Sequence, residues 1–306
     1  MADFRTVHSA SHHLGWDRDE PPVLELAPGA TVRLELLDAS RGRITRDADA
    51  DRVHQLAPEN ANPLTGPIRI DGAEPGDRLC VEILDLQTEA WGWTALIPGF
   101  GLLADDFADP WLNISTIEGD RVHFVDGIAL PCRPFLGTLG VAPAEAGRHP
   151  AIPPLPCGGN MDLREIVRGS RVQLPVQVDG ALFSAGDGHL AQGHGEVCGT
   201  AVETRLAVEL RFSLEKDSPI PHPLVEAPAT PVDTGPRLIT TGIGPELMDA
   251  ARDAVRFMID ELERRYRLPP ELAYALVSTA ADLVVAELVN APNWTVACSL
   301  PTAIFT

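Results

Sequence analysis

The chain has 306 residues, 44% hydrophobic and 22% charged, enough apolar content to close a sizeable core. A formal net charge of −20 with no offsetting basic run repels phosphate backbones and anionic lipid, which argues against nucleic acid and membrane as partners. The opening residues, Met1, Ala2, Asp3 and Phe4, do not read as a targeting segment, and no apolar run reaches the roughly 20 residues of a membrane helix, so a cytoplasmic protein is expected. Five cysteines without a CxxC pair indicate neither a disulfide framework nor a thiolate zinc cage.

Through the first 240 residues, proline and glycine punctuate short segments that alternate apolar and polar side chains, the period of β-strands. Residues 31–37 and 78–86 are such segments. Residues 202–214 form another, with Val202, Leu206, Val208, Leu210 and Phe212 on one face. The proline-rich stretch 217–236 reads as an extended connector. The period then changes to about 3.6. Leu247, Ala251, Val255, Met258, Ile259, Leu262 and Tyr266 fall on one stripe of a helix with Pro245 near its start. A second helix is expected after Pro269 and Pro270, with Leu272, Ala275, Leu276, Leu283 and Leu288 facing inward. These elements predict an α+β fold, mainly β. Packed sheets form a sandwich- or barrel-like body over residues 1–215, followed by the connector and a helical part at 245–290, all within a single domain of residues 1–306.

Two segments gather acid/base and metal-capable groups among glycines: 156–162, PCGGNMD, and 186–203, GDGHLAQGHGEVCGTAVE. Asp187 and His189 are two residues apart, so on an extended backbone they share a face where a carboxylate and an imidazole can bind one divalent cation. The bland alternative for a lone DxH is a surface turn; the glycine density and Glu196 weigh against it. Asp162 follows a Gly-Gly turn that directs it toward the same centre. Its alternative is a turn aspartate bonded to its own backbone. Glu196, seven residues after His189, suits proton transfer from an activated water to a departing amine. His194 has a weaker claim, as an exposed loop histidine. A thiol mechanism would rest on Cys157 or Cys198, for which burial as structural cysteine is the commoner fate. No GxSxG, HExxH or phosphate-binding loop with lysine is present.

With HLGWD (13–17), LTGPIRIDGAEPGDRL (64–79), PGFGLL (98–103), GGNMD (158–162), LPV (174–176), GALFSAGDGHLAQGHGEVCGTAVE (180–203) and AYALVSTAADLVVAELV (273–289), the chain resembles the acetamidase/formamidase family over most of its length. The resemblance implies a largely β fold closing on a helix. It also implies hydrolysis of short amides, a divalent metal, zinc or calcium, and a homodimer. It puts Asp162, Asp187 and His189 on metal, with Glu196 and Gln192 as catalytic residues. Asp38, within LLDAS, matches an acidic position after the family's first strand and is a further candidate ligand; its alternative is a strand-end turn. Two departures bear on substrate: Asn62 stands where the family commonly has histidine, with His54 eight residues earlier, and His194 replaces the acid of QGDGE. Trp91 and Trp93 are candidates for an apolar wall beside the substrate. Two rival readings are a catalytically silent, metal-stabilised binding protein on the same scaffold and an amidase for larger amides.

Overall fold

A computed structural model describes residues 5–230 and 235–305 of the chain. It is an α+β fold made mainly of strands, arranged in two large packed sheets with no closed barrel among the described residues. The first sheet has nine strands, in the spatial order Arg5–Val7, Thr31–Leu36, Leu206–Glu215, Arg78–Thr88, Arg171–Pro175, Leu224–Ala227, Arg237–Gly244, Trp294–Pro301 and Asp282–Glu287. The second contains Phe183–His189 between Phe135–Gly140 and Glu203–Thr204, with Leu64–Ile70 paired to the same central strand.

The predicted alternation is present where it was clearest. Leu206, Val208, Leu210 and Phe212 are buried while the residues between them are not, and they meet Leu34, Ile68, Val81, Leu139 and Phe183 in a core shared by both sheets. Val202 is not on that face, because a break separates Glu203–Thr204 from Leu206–Glu215 and sends Val202 into a separate cluster with Val122 and Leu190.

The expected connector 217–236 is only partly a connector. Leu224–Ala227, the stretch between its prolines, joins the first sheet between Arg171–Pro175 and Arg237–Gly244; residues 231–234 lie outside the described residues. Helix α1, Leu247–Tyr266, forms as expected, but its inward face is shifted by about one position, to Ala250, Ala254, Phe257, Met258 and Leu262. Small residues at 250 and 254 let the helix lie against the strand Arg237–Gly244, where a Cβ on Gly242 would come within 1.9 Å of the Ala250 carbonyl oxygen. Helix α2, Pro270–Ala280, buries Ala273 and Val277; Leu272 and Ala275 are exposed.

The expected continuation of that helix to residue 290 is overturned. Asp282–Glu287 is a strand paired with Trp294–Pro301, so Leu283 and Leu288 are not on a helix. The β-branched pair Val284 and Val285 favours strand, and an apolar run this short fits either period. This strand passes next to the loop that carries Glu196.

Buried Arg78 ties α1 to the first sheet. Its Nη2 lies 3.7 Å from Glu261 Oε1, Nη1 donates to Gln173 Oε1 at 2.7 Å, and Nε donates to the Ser218 carbonyl at 3.2 Å. Glu261 also accepts from Arg264 and Arg265. Burial raises its pKa, but these guanidinium bonds outweigh burial and leave it below the usual glutamate value. Glu261→Ala, which strands a buried guanidinium, is expected to cost about 3 kcal/mol at pH 7, read as a fall in the denaturation midpoint. Because the folded pKa is depressed, the ionised carboxylate stabilises the fold above the unfolded value of 4.5 and that contribution is lost as pH falls through the folded value. The gap between wild type and variant should therefore narrow below about pH 4.5.

Candidate active site

The central strand Phe183–His189 reads FSAGDGH, with glycine on one face and chemistry on the other. A Cβ on Gly186 would meet the Pro63 carbonyl oxygen at 2.4 Å, and one on Gly188 would meet Leu206 Cγ at 2.3 Å. Only glycine fits under those neighbours, and Asp187 and His189 are left to share the opposite face. Pairing places Glu203 opposite His189 on the next strand. His189 is fully buried and packs edge-on against Phe135, ring centroids 4.8 Å apart.

The imidazole is ringed by carboxylates. His189 Nε2 lies 3.2 Å from Asp187 Oδ1 and 3.1 Å from Glu203 Oε2, while Nδ1 is 4.0 Å from Asp162 Oδ1. Asp162 emerges from Gly158–Asn160, which pairs with Phe135–Gly140, and its Oδ2 accepts from Asn290 Nδ2 at 2.7 Å. Buried Glu196 has an oxygen within 4.8 Å of ligand atoms on Asp162 and His189. Gly137 forms the floor. A Cβ there would come within 2.8 Å of Asp162 Oδ1, 2.9 Å of His189 Cε1 and 3.0 Å of Asp187 Oδ2.

The loop bearing Glu196 is fastened to the strand Asp282–Glu287 and the residue after it: Gly195 N–H donates to the Ala286 carbonyl at 2.8 Å, and Leu288 N–H donates to the Gly195 carbonyl at 3.3 Å. Glu287 then caps the following turn, accepting from Val289 N–H and Asn290 N–H, so the same segment that holds Glu196 presents Asn290 to Asp162. Four non-glycine residues around the centre adopt left-handed backbone, with φ of 52° at Asn62, 45° at Asp162, 58° at Asp187 and 46° at Glu196. Strain of this kind persists where surrounding structure enforces it, as at sites built for a ligand.

The electrostatics are unbalanced. Burial, then the charge of Asp187, pushes Asp162 well above the usual aspartate value; burial, then Asp162, does the same to Glu196. Burial raises Glu203 to about 7, against the opposing pull of His189. Four carboxylates face one imidazole, which carries at most one positive charge, and buried negative charge in excess must be neutralised by protons or a cation. Asp162 Oδ1, Asp187 Oδ1, Glu203 Oε2 and both His189 nitrogens have no hydrogen bond of proper geometry despite their short separations. Buried donor atoms without partners, carboxylate and imidazole in type and converging within 4.8 Å, fit a divalent cation.

Two cavities flank Glu196. The larger, about 360 Å³, is bordered by Phe124, Phe135, Arg133, Gln192 and Cys198 and reaches no other residue of the centre. The smaller, about 190 Å³, is bordered by Asp187, Glu196, Glu203, Asn290 and Asn62, and it is the one that opens on the carboxylate–imidazole centre.

The structure thus brings together Asp162, Asp187, His189 and Glu196. Gln192 stands beside them, donating through Nε2 to the Asp162 carbonyl at 2.9 Å, with its side chain at the larger cavity. Asp38 lies apart from the donor cluster: its Oδ1 accepts from Ser40 N–H at 2.9 Å, from the Ser40 hydroxyl and from Trp93 Nε1 at 3.3 Å, the bonding of a buried strand-end turn. His194 sits 3.4 Å from Glu165, away from the imidazole centre. Trp93 borders the smaller cavity and Trp91 does not. For the thiol route, burial pushes Cys157 up to about 12, and Cys198 Sγ donates to the Thr200 carbonyl at 3.3 Å. Glu203 belongs to the acid-rich segment 186–203 without a role assigned to it from sequence, whereas Asn290, Glu287 and the floor at Gly137 are found only in the fold. A glutamate and an asparagine closing an apolar strand were the available signal for two of them.

A β-rich scaffold with a buried carboxylate–imidazole centre opening on a small cavity has the make-up of a hydrolytic site. The acetamidase/formamidase family profile matches residues 4–149 and 144–306, and the chain belongs to that family. It is 28% identical to the formamidase of Methylophilus methylotrophus over 96% of this chain and 89% of that one. Identity to the acetamidase of Mycolicibacterium smegmatis is also 28%, over 67% of this chain and 66% of that one. The crystal structure of the Bacillus halodurans acetamidase superposes with a TM-score of 0.89 at 32% identity, covering 98% of each chain. The γ-lactamase of Delftia acidovorans gives 0.68 at 27% identity, covering 96% and 89%. Among the described residues no helix is long and apolar enough to cross a membrane.

Proposed function

We propose that this protein hydrolyses primary amides to a carboxylate and ammonia, with Glu196 as proton shuttle beside a divalent cation held by Asp187, His189 and Glu203. The observation that carries this reading is the convergence of three buried, hydrogen-bond-deficient donors, Asp187, His189 and Glu203, beside a small cavity that Glu196 also borders. The names of the relatives, acetamidase, formamidase and γ-lactamase, support the amide bond as the one broken.

A neutral imidazole has one lone pair. The Nε2 side, with two carboxylates at 3.2 and 3.1 Å, is the better cation seat. Asp162, expected as a ligand, then faces the Nδ1 side at 4.0 Å, outside hydrogen-bond range, with Asn290 holding its other oxygen in place. The imidazole donor favours zinc over calcium. When bound, such a cation polarises the amide carbonyl and acidifies water. Glu196, kept basic enough by burial, takes a proton from the attacking water as its oxygen bonds to the carbonyl carbon, and returns it to nitrogen as the C–N bond breaks. Gln192 buttresses this arrangement through the Asp162 backbone. We also place the protein in the cytoplasm as a homodimer.

The test is the stoichiometry of products. Incubation with formamide, acetamide and longer primary amides is expected to release ammonia and carboxylate in equal amounts. Saturable binding of those amides without ammonia would instead indicate a capture protein.

A further inference from the structure

The smaller cavity bears on which amides are taken. Its volume of about 190 Å³ equals the share of roughly six water molecules at ~30 Å³ each, more than formamide or acetamide fills even beside a cation. Away from the carboxylates its wall is apolar, formed by Leu56, Trp93, Ile97, Phe100 and Ile152. Burying methylenes against such a wall strengthens binding, whereas a one- or two-carbon amide leaves the wall in contact with water.

Asn62 stands at the junction of the apolar wall and the centre. It is 97% buried, its relative exposure being 3%. Its backbone is fixed by N–H donation to the Ala39 carbonyl at 2.9 Å, and its side-chain Nδ2 donates to Thr138 Oγ1 at 3.1 Å. The Thr138 hydroxyl hydrogen goes to Asn160 Oδ1, so Thr138 presents only a lone pair to Asn62. That fixes which way the Asn62 amide faces: NH₂ toward Thr138, Oδ1 away from it, buried and without a hydrogen-bond partner among the described residues. Asn62 also borders the cavity. A buried acceptor left in this way is costly unless a ligand N–H meets it, and site groups of this type discriminate strongly against ligands lacking the matching donor.

Resting on the amidase reading, we propose that the cavity selects primary amides whose apolar acyl group is larger than acetyl, and that Asn62 Oδ1 is a positioning acceptor for an N–H of the substrate's amide nitrogen. The reaction is unchanged; Asn62 orients nitrogen and donates or takes no proton.

The experiment measures kcat/KM for formamide, acetamide, butyramide and N,N-dimethylbutyramide, which has no amide N–H, with the metal-loaded wild type and with Asn62→Ala. Two added methylenes are expected to favour butyramide over acetamide by about tenfold. The preference for butyramide over its N,N-dimethyl analogue is expected to shrink by about tenfold in Asn62→Ala. A merely structural role would lower both amides together and leave that ratio intact. Formamide or acetamide preferred over butyramide, or an unchanged primary-to-N,N-dimethyl ratio, overturns the proposal. Release of ammonia from none of the amides would overturn it along with the amidase reading, an outcome distinguishable from a wrong size preference.

Discussion

Replacing Glu196 with glutamine is expected to lower kcat for amide hydrolysis by about 10²- to 10⁴-fold while leaving KM and cation content close to wild type. Glutamine keeps the volume and the neutral hydrogen-bonding capacity of the side chain but takes up no proton. Glu196 is buried, held in left-handed backbone and tied through Gly195 to the strand Asp282–Glu287, so the isosteric change should leave the loop in place. A charge-neutral replacement also relieves the excess of negative charge around Asp162, and the variant should be no less stable than wild type. The decisive readout is the split between kcat and metal content: loss of both together would assign Glu196 to the cation rather than to proton transfer.

Gly137→Ala is the second change with a large expected effect, and it replaces no acid, base or donor residue. The added methyl group would sit 2.8 to 3.0 Å from Asp162, His189 and Asp187 at once. These side chains are buried, and His189 is backed by Phe135, so the donor atoms must move apart rather than swing into solvent. Cation affinity is expected to fall by about 100-fold, with activity lost in parallel, in line with the sensitivity of metal sites to the groups that orient their ligands. Far-ultraviolet circular dichroism should match wild type. Retention of full affinity would mean that the centre tolerates displacement and that its geometry is not the basis of binding.

How much of this was legible in the sequence follows from the range of the interactions. Asp187 and His189 were readable because a period of two and flanking glycines are local facts, and the glycines proved necessary where Pro63 and Leu206 press on the strand. Glu203 lay in the same motif, yet its place beside His189 comes from the register between two strands, which no local pattern encodes. Asp38 is a candidate only through its match to the family's acidic position after the first strand. A turn aspartate bonded to Ser40 and Trp93 carries the same local pattern as a ligand, and only the fold separates them. The stretch Asp282–Glu287 was misread because its apolar spacing suits a helical stripe, and the deciding contacts, with Trp294–Pro301 and with Gly195, are tertiary. That misreading also hid Glu287 and Asn290, which orient Asp162 from this strand and the turn after it.

The central claim is tested most directly by ammonia release during removal and return of the cation. Protein dialysed against a strong chelator should lose more than about 90% of its turnover and recover it on addition of one equivalent of zinc, with Asp187→Asn failing to recover under the same conditions. Full turnover in chelated protein whose metal content has been verified as negligible would contradict the account.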